Sequence, residues 1–122
     1  MSRAFRAAAG VMTALFVVSV AVQWNDPDPA YWMAIYGVAA LLAARAAQGH
    51  LPLLPNAAAF ALFSALALRA LPDLLGAREQ AFTHWHMLAE SDEVAREAGG
   101  LLICALWSGV QSALALRARR RA

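Results

Sequence analysis

Lysine is absent, cysteine occurs once, and charged residues make up only 15% of the 122 positions. Each shortage excludes something. With Cys104 alone, the chain can form no intrachain disulfide and offers no Cys-x-x-Cys pair for redox chemistry or structural zinc. Inside an apolar run, a lone cysteine acts as a small packing residue. Also missing are a His-Glu-x-x-His pair, a serine nucleophile elbow, a phosphate-binding glycine loop, a haem-attachment motif and a dinucleotide fingerprint. No motif therefore assigns a catalytic residue, and none names a cofactor. The formal net charge is +2, and all ten basic residues are arginines. Arg117, Arg119, Arg120 and Arg121 form a tail directly behind an apolar run. A basic tail in that place anchors a helix at an anionic leaflet, so nucleic acid is not expected as a partner.

What the chain has in excess is apolar surface. Hydrophobic residues reach 61% and the mean hydropathy is +0.53, well above the share of an ordinary soluble domain. A soluble domain of this size hides too little of its surface to bury so much. Lipid can take it up. The expected fold is all-α: an integral membrane bundle of four transmembrane helices, with a short amphipathic surface helix between the third and fourth. Residues 1–122 then make a single membrane domain.

A helix needs about 20 residues to cross the roughly 30 Å hydrocarbon core. The first is expected over about residues 5–24. Its basic start at Arg3 and Arg6 and its small residues Ser19-Val20-Ala21 also fit a secretory signal cleaved after residue 21. The chain stays hydrophobic beyond that point and the run exceeds a usual signal core, which favours a retained helix; intact mass decides between them. The second helix is expected over 29–48, with Asp28 as N-cap, Pro29 at the first position and Tyr31 and Trp32 in an interfacial aromatic belt. Gly49 stops it, and Pro52 and Pro55 prevent its continuation. The third, over 54–71, ends at Pro72-Asp73 and keeps Arg69 in its last turn, the stem buried and the head wet. Residues 73–90 carry Phe82, Trp85 and Leu88 at helical spacing and are expected to lie on the membrane surface. Ser91 caps the fourth helix, 92–117, with Asp92 and Glu93 in its first turn against the helix dipole.

Arginines orient the bundle. The side holding both termini and the second connection carries Arg3, Arg6, Arg45 and the C-terminal four; the other carries Arg69, Arg78 and Arg96. The positive-inside rule places both termini in the cytoplasm. Small residues four apart mark faces for close helix packing: Ala39, Ala43 and Ala47; Ala57, Ala61 and Ala65; Gly100, Cys104, Ser108 and Ser112.

Four spans bring the Gln23–Pro29 connection and the acidic Glu90–Glu97 segment to one membrane face. Gln23, Asn25, Asp26, Asp28, Trp32, Tyr36, Glu93, Arg96 and Glu97 are the candidate ligand-binding residues there. With His84 and His86 nearby, carboxylates and imidazoles could make a cation site, favouring harder metals if oxygen dominates. No spacing is specific to any metal, so the residues name none. A simpler reading exists for each. Asp28 caps a helix, Asp26 closes a turn, Glu93 faces the dipole, and Glu97 neutralises Arg96 or Arg69. Gln23 then serves the interface, the histidines are solvated, and Trp32 and Tyr36 pack and anchor. Glu97, the deepest carboxylate, leans toward function because carboxylates at membrane depth need a reason.

Gln23-x-Asn25-Asp26-Pro27-Asp28, with Trp32 and Tyr36 following, resembles the signature of the transmembrane protein 220 family. Glu93-x-x-Arg96-Glu97-x-x-Gly100-Leu101 resembles its second motif. The resemblance implies a small multi-span membrane protein, of a family whose molecular activity is uncharacterised. It also implies that the two motifs belong together, and it moves weight toward function for Asn25, Asp26, Asp28, Arg96 and Glu97. His84 and His86 lie in neither motif.

The leading reading is thus a membrane protein with a carboxylate and arginine site on the non-cytoplasmic face, taking a cation, a polar ligand or a lipid head group. The alternative is a structural or partner-binding membrane subunit, or a homo-oligomer, without a ligand. A membrane-embedded hydrolase or transferase needs carboxylates with separated pKa values around a cavity, and nothing in the sequence supplies the cavity.

Overall fold

In lipid a backbone has no hydrogen-bonding partner but itself, so apolar runs of spanning length must become helices. A computed structural model describes residues 1–25, 28–75 and 90–121, with side chains at 1–24, 28–72 and 96–121. It contains α1 (Arg3–Val22), α2 (Pro29–Ala47), α3 (Leu53–Leu75) and α4 (Glu90–Arg121), with a 3-10 turn, Gln23–Asn25, closing α1. All four helices are long and apolar enough to cross a membrane. No strand occurs among the described residues.

Local chemistry explains the ends. The Ser2 hydroxyl accepts from the Phe5 N–H at 3.0 Å, capping α1. Within α1, Thr13 donates to the Ala9 carbonyl and Ser19 to the Leu15 carbonyl, so these hydroxyls need no partner from lipid. Pro29 occupies the first position of α2, where its missing N–H costs nothing. At the other end Gly49 adopts φ 91°, the His50 N–H donates to the Arg45 carbonyl and the Gly49 N–H to the Ala46 carbonyl. This pair of bonds is a Schellman stop, and the left-handed backbone is why glycine stands there.

Three expectations are corrected. Asp28 holds the N-cap position of α2, but its side chain makes no capping hydrogen bond. The third helix does not end at Pro72; it runs on through Pro72 to Leu75. A proline three residues from a helix end removes only one backbone bond, the one to the Leu68 carbonyl, and the helix continues for one more turn. The fourth helix is longer than 92–117, starting at Glu90 and reaching Arg121. Its 32 residues span about 48 Å at 1.5 Å each, so both ends project from the hydrocarbon. Of the expected surface segment 73–90, residues 73–75 belong to α3 and Glu90 to α4, whereas 76–89, with His84 and His86, lie outside the described residues. No separate surface helix is found among the described residues.

The helices pair as two hairpins, α1 on α2 and α3 on α4; α2 meets both helices of the other hairpin, and Phe5 of α1 stacks on Trp107 of α4 at 5.7 Å. The core gathers Phe16 of α1, Trp32, Ile35, Tyr36, Ala39, Ala40 and Ala43 of α2, Phe63 and Ala67 of α3, and Leu101, Cys104 and Ala105 of α4. Two of the three small-residue faces do turn inward: Ala39 and Ala43 are buried on α2, and Cys104 and Ser108 on α4. The α3 face does not. Ala61 and Ala65 are exposed, and the buried row is Asn56, Ala59, Phe63 and Ala67.

Two polar ties secure the arginine-rich end. Arg6 Nε donates to the Ala47 carbonyl at 2.9 Å, putting a cation on an otherwise orphaned carbonyl at the negative end of α2. Gln111 Nε2 donates to Asn56 Oδ1 at 2.7 Å, and Asn56 Nδ2 donates to the Pro52 carbonyl at 2.8 Å. Asn56 is 0% exposed and Gln111 1%, so this bond joins α3 to α4 inside the bundle.

Candidate functional site

At the opposite, acid-rich end, α2, α3 and α4 leave an open-sided cleft of about 320 Å³. Tyr31 and Trp32 line it from α2, Leu66, Arg69 and Ala70 from α3, and Glu97, Ala98 and Leu101 from α4. The helix register sets this composition. Glu97 comes two turns after the start of α4, at the head of its apolar stretch, which begins at Arg96. Arg69 is not in the last turn of α3, as expected from Pro72, but six residues before its end at Leu75. One charge of each sign therefore faces a common space with an aromatic wall.

The wall continues inward. The Tyr31 and Trp32 rings meet edge to face at 5.1 Å, and Trp32 and Tyr36 lie 6.3 Å apart. Tyr36 sits one turn deeper, buried, with its hydroxyl over Gly100. A Cβ at Gly100 would overlap that hydroxyl and meet the ring Cζ at 3.0 Å, so the glycine is the space the tyrosine occupies. Glu97 and Cys104 are both within electrostatic reach of Tyr36.

The nine candidate residues are distributed as follows. Trp32 and Glu97 line the cleft, and Tyr36 forms the layer beneath it. Gln23, half-buried in the 3-10 turn, donates its amide to the Ser19 carbonyl at 3.0 Å and is outside the cleft lining. Asp28 is exposed at the head of α2 and Arg96 half-buried beside Glu97; Asp28, Arg96 and Glu97 each take part in a polar or electrostatic interaction. Asn25 closes the 3-10 turn and Glu93 lies in the first turn of α4, with their side chains outside the description; Asp26 lies outside the described residues altogether. Among the described residues no group of three His, Cys, Asp or Glu side chains could hold a metal ion.

Two cleft residues, Arg69 and Tyr31, were not among the candidates. Arg69 was read as a snorkelling terminal charge because Pro72 looked like a helix end. Its signal is spacing: Arg69 lies one turn after Leu66 and beside Ala70, on the face that lines the cleft.

The sequence model of a family described as "Transmembrane family 220, helix" matches residues 15–113. The chain belongs to transmembrane family 220. The family 220 match includes every residue that lines the cleft and stops short of the arginine tail. No curated protein matches the chain, and neither does any solved structure.

Proposed function

We propose that this member of transmembrane family 220 binds a zwitterionic head group, of the phosphocholine or phosphoethanolamine kind, in the cleft between α2, α3 and α4. The observation that carries the reading is the placement of Arg69 and Glu97 on two helices around one aromatic-walled space. A guanidinium takes a phosphate through parallel hydrogen bonds. A carboxylate beside tyrosine and tryptophan faces takes an ammonium group. A cleft at the head of transmembrane helices meets such molecules in the bilayer itself. In this reading Asp28 and Arg96, near the same helix starts, help to orient Glu97. On the same reading the site faces the non-cytoplasmic side, with both termini in the cytoplasm, which the arginine distribution supports.

The test is thermal unfolding of the detergent-purified protein with phosphocholine, phosphoethanolamine or a divalent cation added. A ligand at 100 times its Kd stabilises by about 2.7 kcal/mol. Wild type should gain stability with the zwitterions, while Arg69→Gln and Glu97→Gln fold without gaining. Unchanged gains in both variants sink the proposal, and a gain from the cation alone moves the site to metal chemistry. A partner-binding role is favoured by a separate observation: Val11, Leu15, Val18 and Val22 are all exposed along one stripe of α1. A stoichiometric membrane protein or second copy, crosslinked through Leu15→Cys in a Cys104→Ala background, supports that role.

A further inference from the structure

We infer that a second cleft, at the arginine-rich end, holds the phosphate of an anionic glycerophospholipid. It measures about 310 Å³, and its lining includes Ser2 and Phe5 of α1, Leu51 of the α2–α3 connection, and Leu114, Arg117 and Arg121 of α4. Arg117 and Arg121 are one helical turn apart, so their guanidiniums face the same opening. Like charges at this spacing repel, and no aspartate or glutamate lines the cleft. The chain's eight acidic residues, Asp26, Asp28, Asp73, Glu79, Glu90, Asp92, Glu93 and Glu97, all fall in the first and third connections or the adjoining ends of α3 and α4. A bound anion supplies the counter-charge that the aspartates and glutamates, all at the other end, do not.

The rest of the lining selects what supplies it. Arg117, Arg121 and the Ser2 hydroxyl can donate to phosphate oxygens, while Phe5, Leu51 and Leu114 present apolar surface beside them. A free phosphate would use only the first half of that lining; a lipid phosphate continuing into a glycerol and acyl chain uses both. Basic pockets between transmembrane helices bind anionic head groups by this combination. Because the cleft joins the start of α1, the α2–α3 connection and the end of α4, an occupant ties together segments that are far apart in the chain.

The experiment compares two charge-matched double variants of the full chain: Arg117→Gln/Arg121→Gln, and Arg119→Gln/Arg120→Gln, whose positions lie outside the cleft lining. Melting temperature and lipid adducts in native mass spectra are measured with phosphatidylglycerol, with phosphatidylcholine and with inorganic phosphate. Wild type and the Arg119/Arg120 variant should melt higher in phosphatidylglycerol than in phosphatidylcholine and retain a phosphatidylglycerol adduct. The Arg117/Arg121 variant should lose both. Equal losses in the two variants mean diffuse attraction to the leaflet and overturn the site. A response to inorganic phosphate that matches phosphatidylglycerol overturns the lipid assignment.

Discussion

Replacing Gly100 with alanine would drive a methyl group into the Tyr36 hydroxyl, and overpacking of this kind costs about 1–3 kcal/mol. Gly100→Ala should therefore lower the melting temperature in detergent, and Tyr36→Phe should restore part of the loss by removing the overlapping oxygen. The Asn56–Gln111 bond makes a second residue-level prediction. Interhelical hydrogen bonds in membranes contribute about 0.6–2 kcal/mol. Asn56→Leu leaves Gln111 buried without its partner, so it should be more destabilising than Asn56→Leu/Gln111→Leu, which removes both polar groups. Gln111 Oε1 and Trp107 Nε1 are buried and unpartnered. They are an acceptor and a donor one turn apart on α4, a spacing that a single water can bridge. The sequence does not mark Asn56 or Gln111 as a pair, although each is the lone side-chain amide of its helix. Long apolar runs draw the eye to charges, whereas in lipid an uncharged amide is the commoner glue.

At the scale of the element, the positions of the spans were legible because about 20 apolar residues in succession admit one structure. The stop at Gly49 was legible for the same kind of reason: a glycine behind a helix, followed by prolines, has few alternatives. The end of α3 was not, since a proline breaks a helix only where nothing else holds it. Nor was its buried face. Alanines at four-residue spacing are the same on either side of a helix until a partner selects one, and the partner selected Asn56, Ala59, Phe63 and Ala67. Gly49→Ala should cost about 1 kcal/mol through its positive φ. Arg6→Met removes the donor and the charge at the end of α2, where such a cation contributes about 0.3–1 kcal/mol. Hydrogen exchange should then rise at 46–50 in both variants, and an unchanged rate would show that the two ties are idle.

For the whole molecule, membrane residence was plain from composition alone, and the meeting of α2, α3 and α4 around the cleft was not, because it depends on which hairpin faces which. The orientation is open to a direct measurement. In a Cys104→Ala background, Trp24→Cys at the acid-rich end should react with an impermeant maleimide from outside intact cells, and Ser2→Cys should react only after permeabilisation; the reverse pattern inverts the topology. The pairing of helices has one more consequence. Each hairpin is closely packed, while the seam between hairpins is carried by α2 and by the Phe5–Trp107 stack. Tyr31 and Trp32 stand on one side of that seam, and Arg69 and Glu97 on the other. If a molecule lodges between them as proposed, it clasps the two hairpins together, and occupancy of the cleft then bears on the width of the protein in the plane of the membrane, a quantity that neighbouring lipids and proteins can feel.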